Sequence, residues 1–196
     1  SALDTYLRSQ LEQQMVARLT HYDGVTLFVT HNLEEAYRIC PNLMVIEQGT
    51  AIAQGTKQSI FEHPEIDTVA RLTGCKNFSR ATIESANTIH AIDWGIHLNV
   101  IESIPEALAY VGIRAHQVAI FPDATQNNTF PCWLTKTSET PHRMTLFLKF
   151  NSSPTDAEDY HIQAEVFKEK WFALKDCAFP WSVQLESMRL ILMRSN

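Results

Sequence analysis

The chain has 196 residues, 45% of them hydrophobic, which is enough to bury a substantial core and excludes disorder as its overall state. Against 22 Asp and Glu stand only 16 Lys and Arg, a formal charge of −6, and no basic cluster offers the local patch that nucleic acid requires. No run approaches the roughly 18 apolar residues of a membrane span, and the opening SALDTYLRSQLEQQ lacks the apolar centre of a signal peptide, so a soluble cytoplasmic chain is expected.

Leu7, Leu11, Met15 and Leu19 recur every four residues beside Val16, which predicts a helix over 5–20 that lays one apolar stripe on a core, with Asp4 placed to cap it. After the turn cluster 21–24, Val25 to Thr30 is short, β-branched and apolar, as for a strand buried on both faces of a parallel sheet. Asn32 with Glu35 reads as a capping box, and Leu33, Ala36, Tyr37 and Cys40 carry a helix that Pro41 stops. Residues 43–47, Gln48-Gly49 and 50–55 read as strand, tight turn and strand. Two short amphipathic helices, about 57–62 and 65–73, end at Gly74. Beyond residue 78 period-two segments take over, as in 95–100 and 144–150, separated by turn clusters at 122–128 and 151–154; a small barrel or sandwich is expected there, interrupted by one helix near 168–174. No fixed-period repeat is visible.

Chemistry is sparse. The eight histidines form neither H-x-x-x-H nor H-x-H, and Cys40, Cys75, Cys132 and Cys177 lie too far apart for a zinc site or a disulfide framework, so no metal centre is expected. None of the glycine-rich phosphate-cradling motifs occurs. Trp94, Trp133, Trp171 and Trp181 lack neighbouring basic residues and read as core or interface rather than as a stacking platform.

Ser1-Ala2-Leu3-Asp4, a helix, and an apolar strand ending in Thr30-His31-Asn32-Leu33-Glu34-Glu35-Ala36 resemble the C-terminal end of an ABC transporter nucleotide-binding domain. The continuation through Gln48-Gly49 and His63-Pro64 is similar to that family up to about residue 77. The resemblance implies that Ser1, Ala2, Leu3 and Asp4 form the D-loop at a dimer interface and that His31 is the switch histidine facing the γ-phosphate. It also implies that ATP and magnesium serve the full-length protein while residues 1–196, without the preceding family motifs, bind neither alone. A second copy and membrane permease subunits are the implied partners, with peripheral attachment to the membrane. Val111 to Ile120 resembles the TOBE regulatory domain of importer ATPases, and Gly74-Cys75-Lys76-Asn77-Phe78 together with Asn128 to Leu134 resembles more narrowly the molybdate/tungstate importer ATPases, whose regulatory domain is Mop-like. Thr125, Gln126, Asn127 and Asn128 would supply neutral donors to an oxyanion, although Cys132 stands where the family has glycine and Glu186 where it has lysine. The expected fold is therefore α+β, with the end of a P-loop α/β ATPase domain at 1–77 and a mostly β OB-type barrel at 78–196. The alternative is a non-catalytic ligand-binding or dimerisation module.

Overall fold

The computed structural model describes residues 5–19, 21–122 and 126–195, and the chain divides into two compact units, 1–62 and 63–196. In the first unit, helices α1 (Thr5–Leu19) and α2 (Leu33–Ile39) are tied by an ion pair from Arg38 to Glu12 at 3.1 Å. Strands β1 (Asn42–Glu47) and β2 (Thr50–Thr56) form an antiparallel hairpin. Its turn puts Gln48 and Gly49 at φ 48° and 80°, the paired left-handed residues that match a tight turn to strand twist. Helix α3 (Lys57–Glu62) follows, its Phe61 ring edge-on to Tyr37 at 5.0 Å while Lys57 donates to the Tyr37 carbonyl.

Two expectations for this unit are not met. Val25 to Thr30 is not a strand; Val25, Leu27 and Val29 are 98%, 87% and 87% exposed. The stripe of α1 is only partly covered, with Leu7, Leu11 and Val16 exposed and Met15 and Leu19 half-buried. A parallel strand takes all its hydrogen bonds from neighbouring strands, and the sheet among the described residues of this unit is the two-stranded hairpin alone. Among the described residues of this unit no strand pairs with 25–30.

The second unit begins at His63, earlier than the 77/78 boundary read from the change in periodicity. Helix α4 (Asp67–Leu72) ends in left-handed Gly74, as expected, and its Ala70 packs with Cys75, Ile191 and Met193 from the β-rich half. Ile66 also bridges to Arg194. A helix that buries its side chains under a sheet belongs to that sheet's core, whatever its own period.

Twelve strands are described in all, ten of them here. β3 (Asn77–Ser85), β4 (Thr88–Ala91), β5 (Ile96–Asn99), β6 (Tyr110–Ile113), β7 (Ala119–Phe121) and β8 (Thr129–Glu139) are followed by β9 (Arg143–Phe150), β10 (Ile162–Phe167), helix α5 (Lys168–Leu174), β11 (Trp181–Gln184) and β12 (Ile191–Met193). They make two five-stranded antiparallel sheets, ordered β12-β6-β3-β4-β5 and β7-β11-β8-β9-β10. The two orders are the same pattern twice. In each, a three-strand meander gains a fourth strand beside its first, and the fifth arrives from the other half after a short 3-10 turn, Ala115–Gln117 or Ser187–Arg189. The unit is an internal duplication with exchanged last strands. One core joins both halves, built around Trp94, Trp181, Phe150, Leu98, Ile113 and Leu146, which places the largest aromatics inside as expected. The molecule is α+β, and its second unit is almost wholly β.

Candidate functional site

The first candidate is the turn that carries His31. Thr30 and Asn32, on either side of it, are pinned: the Asn32 N–H donates to Thr30 Oγ1 at 3.0 Å, and the Thr30 hydroxyl donates to Glu35 Oε2 at 2.9 Å. Asn32 Oδ1 accepts from the Glu34 and Glu35 N–H groups at 3.0 and 3.3 Å, capping α2. The expected reciprocal bond of the capping box, from Glu35 to the Asn32 N–H, is thus relayed through Thr30. His31 is left exposed at the apex of a turn whose two neighbours cannot rotate independently. Glu34 and Glu35 in the first turn of α2 oppose its positive end. The hydrogen bonds define the turn on either side of His31, and its exposed imidazole has room to meet a ligand. Thr30 is the structural neighbour of His31 that sequence reasoning missed; a hydroxyl two residues before a helix cap is its only signal.

The D-loop residues Ser1, Ala2, Leu3 and Asp4 lie outside the described residues, as does Thr125. Of the other three expected oxyanion donors, Gln126 accepts from Gln184 Nε2 at 2.7 Å, Asn127 is exposed, and Asn128 is buried. Asn128 is fully engaged. Its Oδ1 accepts from the Asn99 N–H at 2.8 Å, and its Nδ2 donates to the Asn99 carbonyl at 2.8 Å and to Ser187 Oγ at 3.0 Å. Asn77, its counterpart in the duplication, treats Gln163 the same way, accepting at 2.7 Å and donating at 2.8 Å. Each carboxamide imitates one rung of a β-ladder, clasping a strand of the opposite half. Glu186 sits at the start of a 3-10 turn, 4.0 Å from Arg189. Cys132, paired with Phe150 and Trp181 in neighbouring strands, has its thiol pushed up to about 12 by burial; burial also raises Cys75. Both are inert packing groups. Among the described residues no cluster of His, Cys, Asp or Glu could hold a metal, and no helix is long and apolar enough to cross a membrane.

Over 130 residues the chain is 27% identical to the sulfate/thiosulfate import ATP-binding protein of Shewanella oneidensis, covering 64% of this chain and 35% of that protein. Over 104 residues it is 34% identical to the spermidine/putrescine import ATP-binding protein of Mesorhizobium japonicum, covering 46% and 28%. Over part of its length the chain is related to ABC importer ATP-binding subunits. It spans about a third of the length of these curated relatives. No protein-family model matches. Among solved structures, the cytoplasmic molybdate-binding protein ModG, with molybdate bound, aligns at 16% identity and a TM-score of 0.46, over 60% of this chain and 95% of that one. The importer relationship makes the His31 turn the site of first interest, since SALD and THNLEEA are the segments that resemble the ATPase domain.

Proposed function

We propose that this chain works within the ATP-binding subunit of an ABC importer, residues 1–62 closing the ATPase domain and residues 63–196 acting as a regulatory OB-type domain. The observation that carries the reading is the relationship to importer ATP-binding subunits, joined to an exposed His31 on a locked turn. ATP and magnesium do not fit the described residues by themselves: these contain neither a glycine-rich cradle nor a metal-binding cluster. What they contribute is the imidazole of His31, presented toward a γ-phosphate, and the segment Ser1–Asp4 at the face of a second copy. Dimer closure would drive permease subunits, which places the protein at the cytoplasmic surface of a membrane.

The cargo follows less directly. An oxyanion such as molybdate needs several converging donors and a cation, because desolvating a dianion without them costs more than its contacts return. Asn128 has its donors committed to Asn99 and Ser187, and Glu186 brings a negative charge. The β unit is therefore a dimerisation or regulatory element with weak molybdate affinity at these residues. The complete gene product carrying this sequence should hydrolyse ATP and be stimulated by its permease in vesicles. Absence of magnesium-dependent hydrolysis would favour the non-catalytic module instead. Titration of molybdate against tryptophan fluorescence should be flat into the millimolar range; tight stoichiometric binding would overturn the assignment of weak affinity.

A further inference from the structure

The second sheet of the β unit ends in edge strands β7 and β10, and a cleft of about 290 Å³ opens where these two edges approach. One wall is the 3-10 turn Ala115–Gln117 running into β7; the other is the end of β10 and the first turn of α5. Buried Val118, Ile120 and Val166 form an apolar floor. Two cations stand over aromatic rings at its rim. The Arg143 guanidinium lies 4.3 Å from the centroid of Phe167, and Lys170 Nζ lies 5.2 Å from that of Phe121. No carboxylate among the described residues forms an ion pair with either cation, and the cleft's own carboxylate, Glu165, is taken by Lys76 at 3.2 Å. Phe167 is 58% exposed, an apolar ring held in water with a charge stacked on it.

In a chain of net charge −6 this is a locally positive place, and its volume sits near the lower bound of roughly 300 Å³ for small-ligand sites. We propose that the cleft between β7 and β10 binds a small organic anion, a carboxylate or phosphate monoester with a flat apolar body. The acid group meets Arg143 and Lys170; the body lies on the valine and isoleucine floor between the two rings. A bare tetrahedral oxyanion satisfies the cations but leaves the exposed Phe167 ring in water, and a neutral aromatic does the reverse. The site shares no residue with Thr125–Asn128 or with the His31 turn, so it stands or falls independently of both the oxyanion and the importer readings.

The test is a titration of the ¹⁵N-labelled 196-residue chain with 2-naphthoate, followed by amide shifts. Saturable shifts are expected at 118–121 and 165–170, with 2-naphthalenemethanol and sulfate each at least about tenfold weaker. Arg143→Met and Lys170→Gln should each weaken naphthoate by about fivefold or more; Lys170 is on the exposed face of α5, so its variant tests the site even if Arg143→Met disturbs β9. Absence of saturation at these amides, equal binding of the alcohol, or equal binding of sulfate would each overturn the proposal.

Discussion

Asn128 carries more structure than its place in a turn cluster suggests. At φ 54° it occupies the left-handed region that asparagine tolerates and alanine resists, and its side chain makes two hydrogen bonds to Asn99 of the other half of the duplication and one to Ser187 of its own. Each bond contributes roughly 0.5–1.5 kcal/mol net, and the Asn99 N–H would lose its side-chain acceptor while the Asn99 carbonyl keeps the Ser187 hydroxyl. Asn128→Ala should therefore cost about 3 kcal/mol in urea unfolding, whereas a change below ~1 kcal/mol would show that water replaces the clasp. His161 gives the β unit a pH dependence. Its Nδ1 accepts the Phe150 N–H at 3.1 Å, and burial, with Lys149 nearby, lowers its pKa below 6.5. The unfolded chain thus takes up the proton first as pH falls. The stability from this contact is complete above pH 6.5 and is lost as pH drops toward the lowered folded value. His116, lowered first by burial and then by Arg114, adds to the same slope. Unfolding midpoints should fall between pH 7 and 5, as a rough window, and His161→Asn, which can still accept from Phe150, should flatten the fall; an unchanged slope would remove His161 from the account.

Among the elements, the hairpin, α2 to α5 and the boundaries near Pro41 and Gly74 were legible because each carries its own punctuation: Gln48-Gly49, Asn32, Pro41, a left-handed glycine. The duplication was not legible. Its two copies differ in loop length and keep in common mainly an asparagine at the start of the first strand and a 3-10 turn before the last, too little for a period to register. The His31 turn was half legible, since the spacing of Asn32 and Glu35 predicts a cap but not the relay through Thr30. The extended segment 25–30 reads as a buried strand and is exposed here, which yields a sharp expectation. Leu27→Lys should change the stability of the 196-residue chain by less than about 0.5 kcal/mol, because an 87% exposed side chain buries little. On the proposed importer function, where that segment would pair within an ATPase sheet, the same change in the complete gene product should destroy ATPase activity. Destabilisation of the 196-residue chain would mean that the segment is already packed.

As a whole the molecule is two compact units, and the β unit closes its own core with all four tryptophans inside its limits. Residues 63–196 alone should therefore unfold with the same fluorescence midpoint as the longer chain. Residues 78–196 should not, having lost Asn77's clasp on Gln163 and the packing of Ala70 and Cys75 against Ile191 and Met193. Close approach there is tight: a methyl on Gly112 would stand 2.9 Å from Met193 Cε and 3.3 Å from Cys75 Sγ. Equal stability of the two pieces would restore the boundary at 77/78. The function proposed for the whole rests on His31, exposed on its locked turn and placed where the importer resemblance puts a γ-phosphate contact. The most direct test is steady-state ATP hydrolysis by the complete gene product with His31→Ala. Turnover should fall by about a hundredfold or more while nucleotide affinity holds within about twofold, as for a contact made chiefly in the transition state. Wild-type turnover in that variant would contradict the account and return His31 to the role of a surface residue beside a helix cap.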